Sequence, residues 1–235
     1  GIIYNVGNLP AYQGGVPLGP LLEERFQIPV FINNDGDLFA FGEAMAGLLP
    51  RINQSLADAG SAKRFRNLIG VTLGTGFGGG IVIDGQLLVG DNFAAGEVWL
   101  LRNKVRSEAF AEEGASIRAV QGVYAEASGI DPGSAPTPKE IHAIALGESS
   151  GDQATARKAF QILGEVVGDA LANALALIDG LAVVGGGLAQ ASSLFMTTLI
   201  REMNGSIEKY NGEQIPRLTQ QVFNLTCEDE TRKFL

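Results

Sequence analysis

Residues 73–85, LGTGFGGGIVIDG, constrain this chain more than any other stretch. A run rich in apolar and β-branched residues, NLIGVTL at 67–73, leads into it and reads as a strand. Gly74, Thr75, Gly76, Gly78, Gly79 and Gly80 follow and are expected to form a glycine-rich turn. Residues 81–83 are apolar again, Asp84-Gly85 is a two-residue hairpin signal, and residues 86–89 read as a short returning strand. Glycine has no Cβ, so its N–H group can approach a ligand closely. Successive backbone N–H groups in a turn form an anion-binding concavity, and Thr75 adds a hydroxyl donor. The stretch lacks the Gly-Lys-Ser/Thr ending of a P-loop and does not open a helix as the dinucleotide fingerprint does. Taken alone, it supports a phosphate-binding turn and a sheet-twisting hairpin equally.

The rest of the chain narrows the class. Its 235 residues suffice for one large domain or two modest lobes. An apolar content of 46% supports a real core and argues against disorder. A net charge of −9 argues against a nucleic-acid or anionic-membrane surface, because phosphate neutralisation needs Lys and Arg. One cysteine, Cys227, excludes a disulfide framework and a Cys-rich metal site. No run of 18 or more consecutive apolar residues is present, and the start GIIYNVGNLP has no basic region. A soluble, cytoplasmic protein is the expectation. Both ends are expected to be interruptions, since Gly1 opens directly in an apolar strand-like run and Leu235 follows Lys233-Phe234 without a terminal cap.

Along the chain, residues 1–20 read as loop, punctuated by Asn8, Pro10, Gly14, Gly15, Pro17, Gly19 and Pro20. The pattern predicts a short helix over 18–26, a strand over 29–33 (PVFIN), a helix over 36–49 and a polar loop with a helical turn over 50–66. After a loop at 90–96, residues 107–128 read as helix. Thr137-Pro138-Lys139-Glu140 looks like an N-cap with Pro at the first helical position, and the helix continues over 141–146. The clearest helix covers 150–178, with Ser150-x-x-Gln153 fitting a capping box and an apolar stripe from Ala159 to Ile178. LAVV at 181–184 reads as a buried strand, followed by Gly185-Gly186-Gly187 and a helix over 188–204. The triple glycine is a second place where backbone N–H groups could meet a phosphate or adenosine. Close helix–strand packing explains it equally well.

Asp35, at the end of a short strand, is placed to accept a proton, and Asn34 beside it can hold a hydroxyl. Glu97 follows the loop at 90–96. Asn34-Asp35, LGTGFGGGIVIDGQLLVG, Ala95-Gly96-Glu97 and LAVVGGGL occur in the order in which they stand in the ROK family, and the chain resembles that family over nearly its whole length. The family contains glucokinase-like sugar kinases, hexosamine kinases and sugar-responsive repressors. The resemblance implies an α/β fold of the ribonuclease-H-like actin/hexokinase ATPase type. Residues 1–34 would be the remnant of a small N-terminal lobe, and 35–235 most of the large lobe without its terminal helix. It implies ATP-dependent phosphorylation of a hexose or N-acetylhexosamine by the complete protein, using ATP and Mg²⁺. Asp35 resembles the catalytic base; Asn34, Glu97 and Glu112 resemble sugar ligands. Gly74, Thr75 and Gly76 resemble the phosphate turn, and Gly185, Gly186 and Gly187 the turn near adenosine. A small-molecule sugar is the implied partner, with a homodimer possible by analogy and no membrane or nucleic-acid contact through this segment.

The departures from the family matter. Where the family has Gly-Glu-x-Gly-His, Gly96-Glu97-Val98 is followed by Trp99 and Leu100. The interval expected to hold a zinc knot, RNKVRSEAFAE at 102–112, has neither Cys nor His, so no structural zinc is expected and the segment is expected to be looser. The single histidine, His142, lies far downstream and is expected on a helix surface. The family's Asp-x-Gly-Gly-Thr phosphate motif is not in the chain, and the segment alone is expected to be inactive. A sugar-responsive repressor or non-catalytic sugar sensor remains the second reading.

Overall fold

The structure is a computed structural model describing residues 2–4 and 10–235. Gly1 and Asn8 of the N-terminal loop reading lie outside the described residues. Near the start, Ile3 and Val16 form an isolated antiparallel bridge. Helix α1, Leu18–Phe26, has the expected bounds. Residues 29–33 form no regular element and join no ladder, and Phe31 is 86% exposed. The expected strand therefore does not form, because among the described residues no second strand lies beside it to take its backbone bonds.

Helix α2, Asp35–Met45, ends before the expected residue 49, and the supposed loop after it contains α3, Leu48–Asp58. Pro50 does not end the helical region. It occupies the first turn of α3, where a missing N–H costs nothing. The Leu48 N–H at the start of α3 donates instead to Glu43 Oε2 (2.7 Å).

Strands β1 (Leu68–Leu73) and β2 (Phe77–Ile83) pair antiparallel, and β3 (Gln86–Leu87) continues the meander, two residues shorter than expected. Strand β4, Leu181–Gly185, pairs parallel with β1, giving the sheet order β3-β2-β1-β4. Gly78–Gly80 lie inside β2, so the turn proper is only Gly74–Gly76. This corrects the expectation of one long glycine turn.

The glycines of β2 serve packing. A Cβ on Gly80 would stand 2.7 Å from Asp37 Cα, and one on Gly36 would stand 2.8 Å from Gly79 N and O. With no side chains between them, the first turn of α2 lies directly on β2. That contact aims Asn34 and Asp35 at the end of the sheet.

Alternation along β1 separates two cores. Ile69, Val71 and Leu73 face the larger one, and Leu68 faces a smaller one with Ala40 of α2 and Leu49, Ile52 and Leu56 of α3. The larger core contains α4 (Ile117–Ser128), α5 (Pro138–Leu146), α6 (Gln153–Ile178) and α7 (Ser192–Met203). Helix α4 starts ten residues later than expected, because Phe110 bridges to Arg102 and Ala111–Gly114 form a 3₁₀ turn before it. Helix α5 has the full Thr137–Glu140 capping box with Pro138 in the first turn. His142 is half-buried, its ring edge-on to Phe160, rather than at the surface. Helix α6 is capped by Asp152, which accepts the Thr155 N–H (3.0 Å); Ser150 does not cap it. A carboxylate at the N-cap also faces the positive helix end, an interaction a serine hydroxyl lacks.

By length and composition α6 could cross a membrane, but its Phe160, Leu163, Val167 and Leu171 are buried in the core. The expected helix over 188–204 begins as a 3₁₀ turn, Gly187–Ala191, before α7. A two-stranded sheet of β5 (Ser206–Glu208) and β6 (Gln214–Pro216) follows, then α8, Glu228–Phe234.

Candidate active site

An open cleft of about 1090 Å³ lies at the end of the sheet where β1 turns into β2. Asn34, Asp35, Glu97, Glu112, Gly74, Thr75, Gly76 and Gly186 all line it. Eight residues picked from sequence thus converge on one space. Gly185 and Gly187 are not among its lining residues. A Cβ on Gly185 would meet the Phe39 ring at 2.5 Å, so that glycine serves strand–helix packing. Gly186 has φ +87°, and a Cβ there would stand 2.4 Å from Leu73 O, so the cleft floor is built of bare backbone at this point.

Asn34 is the N-cap of α2: its Oδ1 accepts the Gly36 N–H at 2.8 Å. Capping uses that oxygen and leaves the side-chain NH₂ for a ligand. Asp35 is the exposed first residue of α2, and its Oδ1 also accepts from Gly36 N (2.9 Å). Gly74 N donates to Gly76 O (3.0 Å), which closes the turn, while the Thr75 and Gly76 amides donate to nothing among the described residues. Those two donors are what the turn offers an anion.

Glu112 is tied to the turn. Its Oε2 accepts the Phe77 N–H (2.9 Å), and its Oε1 accepts from Arg118 Nη2 (2.7 Å). Arg118 also pairs with Glu113 Oε1 (2.7 Å), and hydrogen bonds to Glu113 and then Glu112 raise its pKa further above the ordinary arginine value. Glu97 Oε2 accepts from Trp99 Nε1, so the tryptophan standing where the family motif differs orients this carboxylate.

The segment before Glu112 is not loose. Asn103, 2% exposed, accepts the Val105 and Arg106 N–H groups on its Oδ1 (2.9 and 3.0 Å). Arg102 and Phe110 form an antiparallel bridge, and Phe110 packs edge-on against Trp99. Backbone and amide hydrogen bonds thus hold the interval 102–112 together. Among the described residues no group of three or more His, Cys, Asp or Glu is placed to hold a metal ion.

Sequence reasoning missed Asn33, Asp37, Trp99 and Arg118, all of which line the cleft. Asn33 and Asp37 flank the Asn34-Asp35 pair, so the cap and first turn of α2 could have suggested them. Nothing local marked Arg118. Asp37 has its pKa raised from 3.8 by burial and, second, by the neighbouring charge of Glu97, and its Oδ1 is buried without a hydrogen-bond partner. The folded state therefore holds the proton more tightly than the unfolded chain. Stability from protonated Asp37 is present in acid and lost as pH rises through the folded pKa. Asp37→Asn is expected to raise the melting temperature at pH 7. The difference from wild type should shrink as melts are taken down toward pH 4; a constant difference would mean the gain is not electrostatic.

The ROK family model matches residues 1–224. The chain belongs to the ROK family. A crystal structure of glucokinase from Parabacteroides distasonis is 54% identical, covers 100% of this chain and superposes with a TM-score of 0.86. This chain corresponds to 63% of that one. Glucokinase from Halalkalibacterium halodurans is 38% identical over 98 residues, which are 42% of this chain and 25% of that protein. N-acetyl-D-glucosamine kinase from Vibrio parahaemolyticus is 40% identical over 91 residues, 39% of this chain and 26% of that protein. The matched stretches thus span about a quarter of these two curated relatives. A ROK glucokinase from Streptomyces griseus in complex with glucose and AMPPNP shares the fold at 24% identity and a TM-score of 0.58. The α/β fold is that of the actin/hexokinase-type ATPases, as the resemblance implied.

Proposed function

We propose that the complete protein is a cytoplasmic ATP-dependent sugar kinase. Its acceptor would be a hexose or N-acetylhexosamine, with glucose and N-acetylglucosamine the first to test. The observation that carries this reading is the convergence of Asp35, Asn34, Glu97 and Glu112 with the Gly74–Gly76 turn on one cleft. Kinship with glucokinases and N-acetylglucosamine kinases supports the same reaction class. The division at 34/35 fits the reading, with residues before it belonging to a small lobe and Asp35 opening the large one.

In this mechanism the Asn34 amide and the Glu97 and Glu112 carboxylates hold sugar hydroxyls, donors and acceptors respectively. The Asp35 carboxylate takes the proton of the attacking hydroxyl as its oxygen bonds to the γ-phosphorus of ATP. The bond from that phosphorus to the β-γ bridging oxygen breaks, and ADP leaves. The Thr75 and Gly76 amides donate to phosphate oxygens. Mg²⁺, when bound, neutralises triphosphate charge. It ordinarily keeps several waters and phosphate oxygens as ligands.

The test is ATP consumption by the full-length protein with and without glucose or N-acetylglucosamine. The expected result is turnover that appears only when sugar is added. Sugar binding without any ATP consumption would instead favour the sensor or repressor reading.

A further inference from the structure

The cleft has an imbalance of charge. Asp35, Asp37, Glu97 and Glu112 line it, and Arg118 is the one cationic side chain among its lining residues in the described part. A polyanion entering this space meets four carboxylates, and like charges at close range repel.

Arg118 is poorly explained as a structural ion pair. It sits in the first turn of α4, where the helix dipole disfavours a cation. Its side chain is 49% exposed and that of Glu113 is 41% exposed. The exposed pair with Glu113 contributes little, so the main cost of releasing Arg118 is its bond to Glu112, whose side chain is 19% exposed, and a sugar hydroxyl donating to that carboxylate offsets it. A phosphate group offers the same guanidinium a bidentate, charge-assisted contact, which is stronger.

Position fits this exchange. The Ile117 N–H, one residue before Arg118, donates to Gly74 O of the turn (2.8 Å). Glu112 accepts from Phe77 N at the other end of that turn and from Arg118 on its second oxygen. If Arg118 leaves, Glu112 stays anchored through Oε2, while Oε1 becomes free for a sugar hydroxyl.

Resting on the sugar-kinase reading, we propose that Arg118 is a switch between the two substrates. It pairs with Glu112 in the empty cleft and transfers to the phosphates of the nucleotide, which releases Glu112 to the sugar. Nucleotide and sugar then favour each other's binding, and the coupling must be reciprocal.

The experiment is calorimetric titration of the full-length protein with glucose and with N-acetylglucosamine. Each is done with and without a non-hydrolysable ATP analogue and Mg²⁺. In wild type the analogue should tighten sugar binding by about 5-fold or more. In Arg118→Met the sugar alone should bind as well as in wild type or better, the analogue should bind more weakly, and the tightening should fall below about 2-fold. Arg118→Lys keeps the charge without the fork and should fall between the two. Coupling that survives in Arg118→Met overturns the switch and leaves the kinase reading intact. So does weaker sugar binding by that variant without nucleotide, because Arg118 would then merely hold Glu112 in place. A wild type that binds sugar with no coupling also overturns the switch alone, and one that binds no sugar overturns both.

Discussion

Replacing Asp35 with asparagine is expected to lower kcat by about 10²–10⁴-fold while leaving the KM for sugar within about 3-fold, in line with the loss of a general base. The change removes the proton acceptor and little else. Asp35 is exposed, and its structural contact within the protein is with the N–H of Gly36. An asparagine oxygen can accept that bond equally well, and Asn34 caps α2 independently. The melting temperature should therefore stay where it is. Steady-state kinetics on the full-length variant, with a melt recorded alongside, checks both points. A kcat within a few-fold of wild type would remove Asp35 as the base. A large rise in sugar KM at unchanged kcat would make it a binding residue instead.

The second large effect concerns stability. Arg217, whose side chain is 8% exposed, donates from Nη1 to Glu202 of α7 (2.5 Å), forms an ion pair from the same nitrogen with Asp169 of α6 (2.5 Å), and donates from Nη2 to Asn173 Oδ1 (3.1 Å). It follows β6 directly and so ties the β5–β6 hairpin to the two packed core helices. Arg217→Met would leave two carboxylates, 15% and 12% exposed, without their cation. Breaking a buried pair from one side costs about 3–5 kcal/mol. Lys104, which also pairs with Glu202, offsets part of this, so the lower end applies. For a chain of this size ~3 kcal/mol is a fall in melting temperature of roughly 6–12 °C. Replacing all three charges, as in Arg217→Met with Asp169→Leu and Glu202→Leu, should recover most of the loss. An apolar cluster of similar volume is often as stable as a buried ion network. A triple variant no more stable than the single one would show that hydrogen-bond geometry, and not uncompensated charge, sets the cost.

Much of the local structure was legible because its causes lie within a few residues along the chain. The α1 bounds, the Asp84-Gly85 turn and the Thr137 N-cap with Pro138 after it each depend on neighbours in sequence. Errors came where local signals compete. Pro50 marks a loop in most settings and a first turn here. Residues 29–33 have a strand composition but no strand beside them among the described residues. Residues 107–116 have helical composition, yet Phe110 bridges to Arg102 and Ala111–Gly114 form a 3₁₀ turn instead.

The amino-acid sequence by itself determined the family, the fold class and the residues around Asn34-Asp35, Gly74–Gly76, Glu97 and Glu112, because these are short motifs in a set order. Only the tertiary structure decided what the glycines of β2 are for. Their absent side chains let α2 lie on the sheet, a contact between segments some forty residues apart. It also decided that Gly186, and not Gly185 or Gly187, faces the cleft, and that Asp37 and Arg118 join the expected residues there. The physical reason is one of range. Caps, turns and motifs are written in adjacent residues, whereas the charge balance of a cleft is a sum over side chains from separate elements, and it exists only once those elements have packed.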